Sequence, residues 1–394
     1  MKTRKITDGI EWLGAIDWDR RLFDSLIPLP DGTTYNAYLV TGGVQTALVD
    51  TVDPPMTDVL LRQLEGVPRV DYVVSNHAEP DHSGAIPAVL DRYPDAVVLA
   101  TERAVDVLVE SLRIPRERIR AVADGEKLDL GKKTLEFLHT PWVHWPETMV
   151  TYLAEDRVLF SCDFLGAHIA SSDLYVADAG RVYEAAKRYF AEIMMPFSPL
   201  IRKHLARLES YDIDLVAPSH GPLHDDPGFI LDAYRDWAAA EPENRVVVPF
   251  VSMHGSTRRM VDCLVEELIA RGVAVERFDL ASSDIGKLAA ALVDAATIVV
   301  GTPTVLGGPH PLAAYAAVLA NALRPQVRFL SVLGSYGWGG KAVETLAGLV
   351  PALPVEVIEP YLTKGALGQE DRDSIAALAD EIAKRHEAAG LVAG

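Results

Sequence analysis

One stretch constrains this chain more than any other: Ser75-Asn76-His77-Ala78-Glu79-Pro80-Asp81-His82-Ser83-Gly84 sets four metal-capable side chains within six residues. The run before it, Val70-Asp71-Tyr72-Val73-Val74-Ser75, is short, β-branched and aromatic, which predicts a buried strand whose end throws the ligands onto a loop. Alternate residues of an extended loop project the same way. His77, Glu79 and Asp81 can therefore converge, and His82 adds a nitrogen from the other side. Pro80 stiffens the loop, and Ser83-Gly84 lets the chain turn into a helix whose N-terminus faces the site.

Further donors follow other apolar runs. His144 sits in Thr140-Pro141-Trp142-Val143-His144, Asp163 in Leu159-Phe160-Ser161-Cys162-Asp163, and His220 in Val216-Ala217-Pro218-Ser219-His220-Gly221. Four histidines and three carboxylates suit two metals with a carboxylate bridge and a position left open for substrate. Cys162 reads as a small buried residue, because a soft thiolate is out of place in a hard site. His139 and His168 read as packing or outer residues, and His224, His254 and His310 as solvated loop histidines.

The second half carries a different signature. Val246-Val247-Val248-Pro249-Phe250-Val251 predicts a buried parallel strand, followed by Ser252-Met253-His254-Gly255-Ser256-Thr257 and a helix over 258–271. Strand, hydroxyl-rich loop, helix is a geometry for holding phosphate, with N–H groups and the helix dipole aimed at the anion. The Gly-Lys-Ser/Thr of a triphosphate loop is missing, so a monophosphate is expected. Two later loops, Thr302-Pro303-Thr304-Val305-Leu306-Gly307-Gly308 and Ser335-Tyr336-Gly337-Trp338-Gly339, follow strand-like runs and complete a crevice at strand ends in which Trp338 or Tyr336 can cover an aromatic ring. The boundary between the halves falls in the small and charged residues around Pro242, giving domains 1–243 and 244–394.

Composition narrows the partners. A net charge of −19 argues against nucleic acid as ligand, since a phosphate backbone needs a basic face. No apolar segment follows the basic start and no run of about 18 apolar residues occurs, so no membrane span is expected and the protein is expected to be cytoplasmic. Only Cys162 and Cys263 are present, without a Cys-x-x-Cys knuckle, so an iron–sulfur electron carrier is expected to be a separate protein.

The first loop resembles the His-x-His-x-Asp-His pattern of the metallo-β-lactamase superfamily, with Glu79 in place of the second His. With His144, Asp163 and Pro218-Ser219-His220-Gly221, that exchange resembles the flavodiiron proteins, or A-type flavoproteins, and the phosphate loop resembles the flavodoxin signature. A carboxylate in place of imidazole adds negative charge and a hard donor, which suits iron cycling between ferrous and ferric states. The resemblance implies an α/β chain: an N-terminal metallo-β-lactamase-like αββα sandwich followed by a C-terminal flavodoxin-like doubly wound parallel sheet. It implies two irons and FMN, with His77, Glu79 and His144 on one iron, Asp81 and His220 on the other, Asp163 bridging, and His82 a ligand or a nearby hydrogen-bonding group. The implied enzyme passes electrons from a separate donor (a rubredoxin, an NADH-dependent flavin reductase or a reduced deazaflavin) through FMN to the irons. There it reduces dioxygen to water or nitric oxide to nitrous oxide, in a head-to-tail homodimer or a dimer of dimers. The chain departs from the pattern at Leu306-Gly307, where an Asn pair is usual, and at residues 23–26, where a His or Tyr can approach the irons. Two readings compete: a zinc-dependent metallo-β-lactamase-fold hydrolase with an accessory flavodoxin-like domain, and an electron carrier with a decayed metal site.

Overall fold

Short β-branched runs build the first half, and in the computed structural model they pair into two facing sheets. Structure is described for residues 2–23, 25–239 and 241–392, so Asp24 and Ala240 of the stretches read above lie outside the described residues. Packing divides the chain into two compact units, Met1–Tyr189 with Phe197–Ala238, and Phe190–Pro196 with Ala239–Gly394.

In the first unit a seven-stranded sheet runs in the order Arg4–Thr7, Ile10–Asp17, Thr33–Thr41, Thr46–Val49, Tyr72–Val74, Val97–Thr101, Ile119–Val122. A five-stranded sheet runs Lys127–Asp129, Thr134–His139, Met149–Leu153, Val158–Cys162, Leu215–Pro218. Alternate residues of each strand point opposite ways, so Trp12, Tyr38, Val49, Val74 and Leu99 meet Leu135, Phe137, Leu153 and Phe160 between the sheets. The other set, Leu13, Leu48, Val73 and Val98, packs under the helices Thr57–Gln63, Ile86–Arg92 and Glu102–Leu112 through Leu60, Ile86, Val89 and Leu108. Three helices after the fourth strand of the second sheet, Ala179–Tyr189, Ser198–Leu208 and Pro227–Ala238, each bury one face.

The second unit is a doubly wound sheet. Its parallel strands lie in the order Ala274–Asp279, Glu243–Phe250, Ala295–Val305, Phe329–Tyr336, Glu356–Val357, which is 2-1-3-4-5 in sequence. Ser256–Ala270 and Gln369–Ala388 cover one face through Met260, Leu264, Leu268, Ile375 and Ile382. Ile285–Leu292, Pro311–Leu323 and Ala342–Gly348 cover the other, where Leu288, Leu292, Ala316 and Leu346 meet Ile298, Val300 and Leu330. Three loop readings are corrected. Ser335 and Tyr336 are the last residues of Phe329–Tyr336, held there by parallel pairing with Thr363 and Lys364. Residues 302–305 continue their strand, and Gly308–Pro309 folds back on them in register Val305↔Gly308. The reason is the turn: Leu306 and Gly307 take φ of 51° and 84°, the paired positive values of a tight hairpin. Likewise Asp81 and His82 lie on a single helical turn, Pro80–Ser83, started by Pro80 at its first position.

His386 is the buried titratable group of the second unit with the clearest consequence. It is fully buried, with Nε2 2.7 Å from Thr297 Oγ1 and Nδ1 2.7 Å from Asn244 Oδ1. Burial pushes its pKa down to about 4 from 6.5, so the unfolded chain binds the proton first as pH falls. Stability is therefore whole above pH 6.5 and declines as pH drops toward 4, by at most about 3 kcal/mol for a gap of this size. Denaturant midpoints measured at pH 7 and pH 5 should fall with pH in the unaltered protein and fall less in His386→Gln; equal slopes would refute the assignment. Among the described residues no helix is long and apolar enough to cross a membrane.

Candidate metal centre and flavin cleft

The ligand segment is held from beneath before any metal is considered. Asp50 accepts from Asn76 N at 2.8 Å and Asn76 Nδ2 at 2.9 Å, Thr151 Oγ1 donates to Asn76 Oδ1 at 2.7 Å, and Ser83 Oγ donates to Ala78 O at 2.8 Å. Thr51 fixes His82 by donating from N and Oγ1 to its carbonyl at 2.8 and 2.6 Å. On the second sheet Cys162 adopts a left-handed φ of 54°, which turns the chain sharply so that Asp163 enters the site. His220 is fixed by its Nδ1–H, which donates to Thr34 O at 2.6 Å.

The structure brings all seven donors of the sequence reading into two adjoining groups, His77, Glu79, His144 and Asp163 in one, Asp81, His82 and His220 in the other. Asp163 spans them. Its Oδ2 lies 3.6 Å from His77 Nε2 and 3.5 Å from His144 Nε2, and its Oδ1 lies 3.0 Å from His82 Nε2 and 3.3 Å from His220 Nε2. Glu79 Oε2 is 3.1 Å from His77 Nε2 and 3.2 Å from His144 Nε2, while Asp81 Oδ2 is 3.1 Å from His220 Nε2. Donor atoms held about 2.1 Å from one ion stand roughly 3.0–3.4 Å apart, so both groups have the spacing a cation requires.

Electrostatics supports the fit. Both oxygens of Asp81, Oδ2 of Asp163 and Nε2 of His82 are buried and lack a hydrogen-bond partner among the described residues, a state that a cation relieves. Burial alone would push Asp163 up, but the imidazoles of His82, His144 and His220 hold it well below the usual carboxylate range. Burial opposes charge on His144 and His220, yet Asp163 with Glu79, and Asp163 with Asp81, raise them to about 9 and about 10. The cluster thus binds protons where cations would replace them. Cys162 Sγ also lies near His82 and Asp163, but burial first, then Asp50 and Asp163, push its thiol well up, which disfavours a thiolate there and agrees with the hard character of the other donors.

Several neighbours were not legible as functional. Glu147 Oε1 accepts from His77 Nδ1 at 2.7 Å, and the Tyr189 hydroxyl donates to Asp163 Oδ1 at 2.6 Å. Asp50 closes an apolar strand and carries a weak signal; the other two have none, because only tertiary packing brings them in. His168 packs on His220 with ring centroids 4.5 Å apart and is kept neutral by burial and by His220. His224, read as solvated, is buried, with Nε2 3.2 Å from Leu165 O.

In the second unit a cleft of about 310 Å³ is lined by Ser252, Met253, His254, Ser256, Thr257, Pro303, Thr304, Ser335, Tyr336, Gly337, Trp338 and Gly365. It opens at the C-terminal ends of Glu243–Phe250 and Ala295–Val305, the point where strand order reverses. Ser252 Oγ accepts from Gly255 N and Arg258 N at 3.1 and 3.2 Å, which curls the loop under the first turn of Ser256–Ala270. Gly255 has φ +84°, and a Cβ there would stand 3.2 Å from the Arg259 guanidinium. Hydroxyls, exposed N–H groups and a helix N-terminus suit a phosphate monoester. Gly255, Thr302, Val305, Leu306, Gly307, Gly308 and Gly339 stand outside the lining, Leu306 fully exposed at the hairpin tip, and Gly365 is a lining residue that the motifs did not mark.

A sandwich holding a two-group donor cluster, continued by a flavodoxin-like sheet, defines a metal- and flavin-dependent class of protein. Residues 33–221 match the family model described as ODP family beta lactamase. The chain is 38% identical to a nitric oxide reductase of Moorella thermoacetica over 90% of each chain. Its structure is similar to the rubredoxin oxygen:oxidoreductase of Desulfovibrio gigas, at TM-score 0.94 and 30% identity over 98% of this chain and 99% of that one. It is also similar to the flavodiiron protein of Giardia intestinalis, at TM-score 0.91 and 25% identity over 98% and 97% of the two chains. The chain belongs to the flavodiiron protein family.

Proposed function

We propose that this protein is a flavodiiron oxidoreductase, carrying electrons from a separate donor through FMN to two irons that reduce dioxygen to water, nitric oxide to nitrous oxide, or both. The observation that carries the reading is Asp163, whose two oxygens face two different donor groups. One iron is assigned to His77, Glu79 and His144, the other to Asp81, His82 and His220, with Asp163 between them. Ser252, Ser256, Thr257, Thr304 and Ser335 hold the FMN phosphate and ribityl chain, and Tyr336 and Trp338 flank the ring. When bound, FMN supplies one-electron steps and the iron pair delivers the electrons to substrate.

The chain's own residues prepare that chemistry. Three carboxylates against two divalent ions leave about one positive charge to attract an electron-rich substrate. Burial first, then Asp163, raises the Tyr189 hydroxyl well above its ordinary value, so it keeps its proton and pins Asp163 Oδ1. Glu79 in place of imidazole disfavours the zinc hydrolase, and retention of all seven donors disfavours a decayed carrier.

The domain boundary is proposed at 243/244, at the start of Glu243–Phe250. A cytoplasmic location and a head-to-tail homodimer complete the proposal. Protein expressed with ample iron should hold about two irons and one FMN per chain, read by metal analysis and by chromatography of the released flavin. Zinc alone, or FAD, would overturn the reading. Anaerobic reduction with rubredoxin, NADH plus a flavin reductase, or a reduced deazaflavin, followed by dioxygen or nitric oxide, identifies donor and substrate.

A further inference from the structure

The two donor groups share Asp163 but differ in what stands behind their imidazoles. Behind His77 is a carboxylate: Glu147 Oε1 accepts from Nδ1 at 2.7 Å and from Ala78 N at 3.2 Å. Behind His220 is a neutral acceptor, the Thr34 carbonyl, at 2.6 Å. Neither His82 nor His144 has a carboxylate hydrogen-bonded to its Nδ1 among the described residues. Asp50 is the other buried carboxylate near the cluster, but its oxygens accept from Asn76 and none bonds an imidazole.

Glu147 is built into place rather than passing by. It is buried, Thr101 Oγ1 donates to its carbonyl at 2.7 Å, and its Oε2 has no partner among the described residues, so apart from the Ala78 N–H its charge is directed at His77. A carboxylate behind an imidazole fixes the tautomer with the proton on Nδ1, frees Nε2 for a metal and makes the ring more basic. It also places a full negative charge one imidazole ring away, taken as about 6 Å. At an effective dielectric near 20 such a charge is worth on the order of a hundredfold in the ratio of oxidised to reduced ion.

The geometry points to Glu147 as a positioning residue that makes the iron at His77, Glu79 and His144 the more readily oxidised of the pair. In the half-oxidised state the ferric ion then occupies that position, and the ferrous ion stays with Asp81, His82 and His220. This inference rests on the diiron reading.

The test is an EPR-monitored redox titration with iron analysis on the unaltered protein, Glu147→Gln and Glu147→Asp. Gln keeps an acceptor for Nδ1–H and removes the charge; Asp restores the charge on a shorter arm. With two irons retained, Glu147→Gln should shift one of the two couples upward by tenfold or more at fixed potential, 59 mV for a one-electron couple, and narrow the window in which the half-oxidised signal appears. Loss of one iron in Glu147→Gln, recovered in Glu147→Asp with FMN content constant in both, would equally support the role. Both couples unchanged with two irons bound, or loss of both irons in both variants, would overturn it. Absence of iron from the unaltered protein would instead sink the diiron reading, so the two failures are separable.

Discussion

Asp163→Ala should lower reduction of dioxygen and nitric oxide by roughly 10³-fold or more, the scale on which removal of an essential catalytic group acts. Each oxygen of Asp163 faces imidazoles of a different group, so its loss strips a donor from both positions at once. It also leaves His82, His144 and His220 without the carboxylate that holds them in register. Iron content should fall from about two per chain toward one or none. The flavin cleft draws its lining entirely from the second unit, so flavin absorbance and the rate of flavin reduction by the donor should stay within about twofold. Asp163→Asn separates charge from shape: it keeps one oxygen donor, so some iron should remain while turnover is still lost. Turnover of Asp163→Ala near the unaltered rate would show that this carboxylate does not join the metals.

The ligand segments were legible because each follows an apolar run that ends abruptly in polar residues. His77, Asp163 and His220 all stand just past buried strands, and Gly and Pro nearby mark where the chain leaves the sheet. The residues that hold those ligands were not legible. Glu147 lies in Trp145-Pro146-Glu147-Thr148, which looks like any turn, and its contact with His77 depends on a chain return of 70 residues. Tyr189 sits in an amphipathic helix, where periodicity explains it as core. Residues 302–309 read as a loop because Thr, Pro and Gly dominate, although the Leu306-Gly307 pair carries the positive φ values of a hairpin. Local pattern finds the donors; only pairing across the sheets finds what fixes them.

Ser256→Glu should remove the flavin and with it all donor-dependent turnover. Ser256 opens the helix that faces the cleft, so the new carboxylate sits where a helix N-terminus favours negative charge and should not cost stability. The same carboxylate competes with the phosphate of FMN. A monoester carries about 1.5 to 2 negative charges, and a like charge about 5 Å away costs roughly 3 kcal/mol per charge at an effective dielectric of 20. Affinity for FMN should therefore fall by at least about 100-fold, while riboflavin, which lacks the phosphate, should lose far less. Comparable losses for both would mean that the loop was distorted rather than repelling. The variant also tests the dimer. Paired with His144→Ala, which spares the flavin cleft and disables an iron position, it gives two inactive parents with complementary lesions. If electrons cross from the flavin of one chain to the irons of the other, a mixed dimer contains one intact pairing of two. Random exchange of equal amounts makes half the dimers mixed, so activity should return to about a quarter of the unaltered level. Subunits shown to exchange, yet recovering no activity, would place electron transfer within single chains and remove the functional reason for the head-to-tail pair.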